Sequence, residues 1–234
     1  MKKSLLVLAV VAAFTPVLAQ AEAGDFVVRL RATHVSPDES SNLQSQTASS
    51  LPTLVGALYG AGSNAALSVG SNTIPEIDFS YYFTKNIAAE LILAVGTRHD
   101  VSITGATGVL GGNPNLGSVN LLPPTLTAQW HFMPDQTFDP YVGAGLSYVR
   151  AMDNNLNLNN VPIKISRNSW GPAIQAGFDY NLPDRWLINL DVKKIWFDTT
   201  VTADSTGYRV AGWHKIDGLD VDPWVVSVGF GKKF

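Results

Sequence analysis

Long segments in which apolar and polar side chains alternate with period two constrain this chain more than anything else in it. A strand turns successive side chains to opposite faces, so such a run marks a sheet whose two sides meet different surroundings. Residues 25–35 set Phe26, Val28, Leu30 and Ala32 against Arg29, Arg31 and Thr33. Residues 74–83 set Ile77, Phe79, Tyr81 and Phe83 against Asp78, Ser80 and Tyr82. The third run, 87–98, opposes Ala89, Leu91, Leu93 and Val95 to Glu90, Ile92, Ala94 and Arg98. In 122–132, Leu126, Ala128, Trp130 and Phe132 alternate with Thr125, Thr127, Gln129 and His131. The fifth, 140–150, opposes Val142, Ala144, Leu146 and Tyr148 to Gly143, Gly145 and Ser147, glycines that make room for large neighbours across the sheet. Residues 170–180, 186–197 and 222–234 complete the set, their polar faces carrying Gln175, Asp179, Asn189, Asp191 and Lys193. Lys194 falls on the apolar face of the seventh run, where its stem would snorkel, and Lys232 interrupts the last.

The connections between these runs alternate in length. Residues 36–73, 99–121, 151–169 and 200–221 are long, whereas those near 84–86, 133–139 and 181–185 are short. Runs of about ten residues, apolar on one face, joined by alternating short and long links, describe a membrane-spanning barrel. The expected fold is all-β: an eight-stranded antiparallel transmembrane β-barrel with four long outer loops and three short periplasmic turns. Trp130, Tyr148, Trp170, Tyr180, Trp186, Trp196 and Trp224 fall near run ends, as interfacial girdles do. A soluble β-sandwich would also alternate, but its strands are shorter and carry no girdles.

The chain begins as an exported one. Lys2 and Lys3 precede an apolar run to Leu18, and Ala19-Gln20-Ala21 supplies small residues at the spacing of a cleavage site. Pro16 interrupts the run, which is shorter than the roughly 20 residues of a spanning helix. Residues 1–21 are therefore read as a signal peptide and 22–234 as the barrel, destined for the outer membrane of a Gram-negative cell. Hydrophobic residues make up 46% of the chain and charged ones 15%, yet no later stretch is a spanning helix. There is no cysteine, which excludes thiol chemistry and disulfides. The net charge of −3, without a basic run after residue 21, argues against nucleic acid as a partner.

Pro123-Pro124-Thr125-Leu126, Pro140-Tyr141-Val142-Gly143-Ala144-Gly145, Ser169-Trp170-Gly171, Asp222-Pro223-Trp224-Val225 and the terminal Phe234 stand in a characteristic order. In these motifs, and over essentially all of 22–234, the chain resembles the OmpW family, which includes the alkane-uptake protein AlkL. That resemblance implies an eight-stranded outer-membrane barrel whose outer loops form a hydrophobic funnel for small apolar molecules. Its expected partners are outer-membrane lipid, small hydrophobic solutes and the barrel-insertion machinery, the last through the strand ending at Phe234.

An eight-stranded barrel has room inside only for side chains or one small ligand, so a wide pore is excluded. Counting inward positions gives Arg29, Arg31, Arg98 and Lys193 against Asp78, Glu90, Asp179 and Asp191. Confined charges are costly unless paired, and this set reads as a plug that closes the lower lumen, with a polar conduction path as the alternative. A solute entering from outside would then leave sideways, into lipid. Candidate funnel residues are Leu51, Leu54, Leu58 and Leu67 in the first long link and Leu110, Leu116, Leu121 and Leu122 in the second, with a short helix expected over residues 51–58. These leucines either bind solute or only pack the loops together. Pro75 and Pro123-Pro124 remove backbone donors and either weaken the wall or simply start strands.

Other roles leave weaker marks. His34, His99, His131 and His214 are scattered, in no nucleophile motif and at no metal spacing, so neither an enzyme acting on lipid A, nor a metal site, nor a cofactor is expected. A structural or adhesive barrel would carry polar loops, whereas the first two long links are rich in Leu, Gly and Ala.

Overall fold

The structure, a computed structural model, describes residues 22–94, 97–112, 114–154, 156–158, 161–204, 206 and 212–234. The expected signal peptide at 1–21, Val95 of the third run, and parts of the second, third and fourth long links lie outside them. In chain order the first half contains β1 (Phe26–Ser36), α1 (Leu43–Ser50), α2 (Pro52–Tyr59), β2 (Ala66–Val69), β3 (Asn72–Tyr82), β4 (Ile87–Ala94), β5 (Thr97–Thr104), β6 (Asn115–Leu122) and β7 (Thr125–His131). The second half contains β8 (Phe138–Asn154), β9 (Leu156–Leu158), β10 (Val161–Ile165), β11 (Asn168–Asn181), β12 (Trp186–Ile195), β13 (Asp198–Asp204), β14 (Trp213–Asp220) and β15 (Trp224–Lys233).

Eight strands run in the order β11-β12-β15-β1-β3-β4-β7-β8, and β8 pairs back onto β11, which closes an antiparallel barrel. First and last strands meet from Val27↔Lys233 to Ser36↔Trp224. The expected alternation holds on the wall. Leu126 and Leu146 are each 58% exposed outward, while Arg29 is 0% exposed inside, an inversion that only a lipid surround makes favourable. Of the two glycines expected to make room, Gly143 faces a side chain, where an added Cβ would lie 2.9 Å from Gln175 Cγ, whereas a Cβ on Gly145 would meet the backbone of the next strand, 1.9 Å from Leu126 O.

Three short turns share one end of the barrel with both termini, where Gly24 N donates to Tyr82 O and Phe26 N to Phe234 O. In the first turn Thr84 Oγ1 accepts from Asn86 N and Ile87 N. In the second Asp139 Oδ1 accepts from Met133 N, and the third contains the 3-10 turn Pro183–Arg185, with Asp184 at φ 59°. Trp130, Tyr180 and Trp186 ring this end, and Tyr148, Trp170, Trp196 and Trp224 ring the other.

The outer ends differ from the expected loops, because the backbone goes on pairing past the membrane. β5, β6 and β2 extend the barrel sheet through the upper half of β8, and β14-β13-β10-β9 form a second sheet. The helix expected over 51–58 is α2, opened by Pro52 at its first turn and ended at Gly60, whose φ of 89° suits a residue without a Cβ. The polar helix α1 was not foreseen.

Two charges are placed otherwise than counting suggested. Inward positions are even-numbered along β3 and β4 up to Ala94 and odd-numbered along β5 from Thr97, so Arg98 faces out, its Nε donating to Ser118 Oγ. Period-two counting carried across the break between β4 and β5 put it in the lumen. Lys194 does not snorkel from lipid: it is 8% exposed, and its Nζ donates to Asp222 O and Asp38 Oδ2 over the Trp224 ring. There β12 passes beneath the start of the first long link, which covers its outer face.

Candidate functional site

The lower lumen is filled by an ionic network. Arg29 on β1 donates through Nε and Nη2 to both oxygens of Asp179 on β11, and through Nη1 to Ser80 Oγ at 2.6 Å. Arg31, two residues on, donates to Asn189 Oδ1 at 2.7 Å and Glu90 Oε1 at 2.9 Å. Its Nη1 lies 2.8 Å from Asp78 Oδ2, an ionic contact in which neither Asp78 oxygen makes an aligned hydrogen bond. Glu90 Oε2 accepts from Gln129 and Gln175, so this one carboxylate ties β1, β4, β7 and β11 together. Lys193 Nζ donates to Asp191 Oδ1 at 2.6 Å, and the Tyr141 hydroxyl donates to the other Asp191 oxygen.

Seven of the eight residues expected in the plug thus come together, all but Arg98. Glu76 belongs with them, 3.2 Å from Arg31, yet it precedes the clear alternation of its run, and the neutral partners Ser80, Gln129, Gln175 and Asn189 carried no charge signal. Below the network His131 Nδ1 lies 2.7 Å from Asp139 Oδ2, with its ring between Tyr82 and Tyr141. Side-chain atoms of His131, Asp139 and Asp179 fall within 4.8 Å of one another, a spacing that sequence could not reveal because the three lie on three strands. Both Asp179 oxygens accept from Arg29, and His131 pairs with Asp139.

Above the network the interior turns apolar. A cavity of about 60 Å³ sits on the floor formed by Thr33, Glu76, Thr125 and Lys193, walled by Ile74, Ile92, Ala94, Ile195 and Val225. It shares Val69, Leu121, Val149, Phe197 and Val221 with a second cavity of about 40 Å³ higher up, lined by Leu67, Leu116 and Leu156. A third, of about 30 Å³, lies beneath α2 against Leu51, Leu54, Leu58 and Ile163. Leu110 is buried in the apolar cluster that joins all three. Of the eight candidate leucines only Leu122 lies elsewhere, 37% exposed on the outer wall.

Helices α1 and α2 cover the outer mouth. α1 packs on β14 with Leu43 fully buried, and Asp217 accepts from Ser41 Oγ and Asn42 N at its start. Asp217 is buried there, and burial raises its carboxyl above the usual range despite those donors.

One stretch of wall shows no ladder pairing among the described residues. β4 pairs with β7 up to Ile92↔Thr125, and β5 pairs with β6 from Thr97↔Leu121, leaving Pro123 and Pro124 between the two registers. Neither proline has an N–H to donate. On the other side the wall is continuous, since Tyr148 N donates to Pro124 O. Ile92, Ala94, Thr97, Leu121, Pro123 and Thr125 around this break all line the lower cavity. Pro75 lies within β3, opposite Ala32, and marks no comparable break toward β1.

A family model described as "OmpW family" matches residues 22–234. Outer membrane protein W of Vibrio cholerae is 35% identical over 241 residues, covering 100% of both chains. Outer membrane protein AlkL of Ectopseudomonas oleovorans is 31% identical over 171 residues, 73% of this chain and 70% of that one. Among solved structures, the crystal structure of OprG from Pseudomonas aeruginosa superimposes with a TM-score of 0.75 at 31% identity, covering 92% of this chain and 98% of OprG.

Proposed function

The chain belongs to the OmpW family of outer-membrane proteins, and from that premise we propose that it is a narrow hydrophobic channel for passive uptake of small apolar molecules. Solutes enter between the outer elements and leave sideways into the membrane. The observation that carries this reading is the interior itself: an apolar series of cavities runs down from α2, stops on a charged floor, and ends beside the wall break at Pro123-Pro124. An apolar solute gains nothing by crossing the ionic floor, where every displaced partner leaves a buried charge. Lateral release into lipid costs it little. The similarity to AlkL supports the same reading.

In this reading residues 1–21 direct export and are removed, and the closing strand ending at Phe234 is what the insertion machinery engages. No chemical step is required of any residue. The reading is tested by reconstituting the mature chain in liposomes and comparing uptake of a medium-chain alkane with that of a sugar of similar size. A variant lacking residues 51–69 serves alongside. Selective alkane uptake that depends on those residues is the expected result; uptake of neither compound would move the assignment to a structural or adhesive barrel.

A further inference from the structure

The passage is not uniformly apolar. Thr97 is 2% exposed and lines the lower cavity, and its Oγ1 has no hydrogen-bond partner among the described residues. Thr33 and Thr125, on the same cavity, are satisfied by Ser227 and by Ser147 with Pro123 O. Two positions along β5 and on the same face, His99 lines the cavity at 4% exposure. Its Nδ1 lies 2.7 Å from Gly70 O. A carbonyl can only accept, so Nδ1 carries a proton toward it, and Nε2 makes no hydrogen bond to a described residue. Thr199, 6% exposed, repeats the pattern in the upper cavity, where its Oγ1 is also unpartnered.

Buried hydroxyls without partners are rare because they lose their water and gain nothing in return. Here the Thr97 hydroxyl and the His99 ring stand two positions apart on one strand face, between the charged floor and the apolar walls. Resting on the uptake reading above, we propose that the lower cavity is a subsite for apolar molecules bearing a single hydroxyl, and that the channel favours straight-chain primary alcohols over hydrocarbons. The ligand O–H donates to His99 Nε2, its oxygen accepts from the Thr97 hydroxyl, and its tail lies up the cavities along Val149 and Phe197. Thr199 offers the same hydroxyl a stop on the way down.

Charged head groups fit the subsite badly. A carboxylate would face Glu76 on the same floor, where Lys193 is already held by Asp191. An alkylammonium has no acceptor for the Thr97 proton and would lose its hydration in an apolar cavity.

The test uses the mature chain in lipid nanodiscs, titrated separately with 1-octanol and n-octane while the His99 imidazole nitrogens and the Thr97 methyl are followed by NMR. In the unaltered chain 1-octanol shifts His99 Nε2 and n-octane does not. Thr97→Val, which keeps shape and removes the hydroxyl, weakens 1-octanol binding about five-fold, the effect of one ordinary hydrogen bond, and leaves n-octane within about two-fold. Thr97→Ser retains 1-octanol binding, which separates loss of the hydroxyl from loss of fold. Binding of both compounds with no preference, or a Thr97→Val variant that binds 1-octanol normally, overturns the subsite and leaves the uptake reading standing. Binding of neither compound overturns both.

Discussion

Arg29 and Asp179 meet across the barrel lumen through two hydrogen bonds, although 150 residues separate them in the chain. Both are nearly fully buried, so each is the principal compensation for the other's lost hydration. Asp179→Ala should therefore destabilise the barrel by about 3–5 kcal/mol, the cost of an orphaned buried charge. The joint replacement of Arg29 by Met and Asp179 by Leu should recover most of that loss. Urea unfolding in detergent micelles measures both; equal destabilisation by the single and joint variants would show that the pair is not the unit of stability.

Glu90 is the junction of the same network, and its removal should open the floor as well as weaken it. Planar-bilayer recordings of the unaltered chain should lack current steps of porin size, because paired side chains from Arg29 to Lys193 occupy a lumen of only eight strands. Glu90→Ala, which strips the acceptor from Arg31, Gln129 and Gln175, should add brief small steps. Porin-size currents through the unaltered chain would contradict a closed floor.

The wall break offers a sharper test because the chain has no cysteine of its own. Ala94→Cys together with Pro123→Cys places two thiols around the break, on the lining of the lower cavity. Oxidation should reduce uptake of a medium-chain alkane at least about ten-fold, since a covalent cross-link holds the strands together far more firmly than the absent ladder bond. Reduction should restore it. Unchanged uptake in the fully oxidised protein would place the exit elsewhere.

At the outer mouth, Asp217 holds the start of α1 through Ser41 and Asn42. Asp217→Ala removes two hydrogen bonds of about 1 kcal/mol each and should loosen α1 without touching the barrel. Hydrogen exchange should rise over residues 41–50 and remain slow in β1 and β15. Because burial raises the Asp217 carboxyl, ionisation costs the folded cap something. That cost is absent at a pH below the ordinary carboxylate range and grows as pH rises through the raised value, so protection over the same residues, taken relative to the intrinsic exchange rate at each pH, should increase on acidification.

The barrel was legible because its wall separates lipid from lumen, and one residue in two must answer to each. Arg29, Arg31, Asp179 and Asp191 were found by parity alone. Parity failed at Arg98, where the inward set passes from even to odd between Ala94 and Thr97. It had nothing to say about Glu76, at the frayed start of its pattern. The outer sheet of β9, β10, β13 and β14 was hidden for a related reason: beyond the membrane no lipid face enforces alternation. α1 was hidden because its Gln, Ser and Thr residues lack an apolar stripe, and it is held instead by tertiary contacts to Asp217 and Lys215. Leucines in the long links pointed to the apolar interior, but the hydroxyls of Thr97 and Thr199 stand out only once their surroundings are seen to leave them unpartnered.

The span between Arg29 and Asp179 also bears on how the molecule is made. Arg29 and Arg31 sit on the first strand, and their acceptors are divided between the neighbouring strands β3 and β4 and the late strands β11 and β12. While the sheet is still open, β1 has only the first half of that set within reach. The two guanidinium groups reach full compensation when β15 docks on β1 and brings the far side of the cylinder opposite them. Seam closure and charge neutralisation are therefore one event, and a sheet that joins one residue out of register is left with ions facing hydrocarbon. The chain carries its own check on assembly in the two arginines translated first.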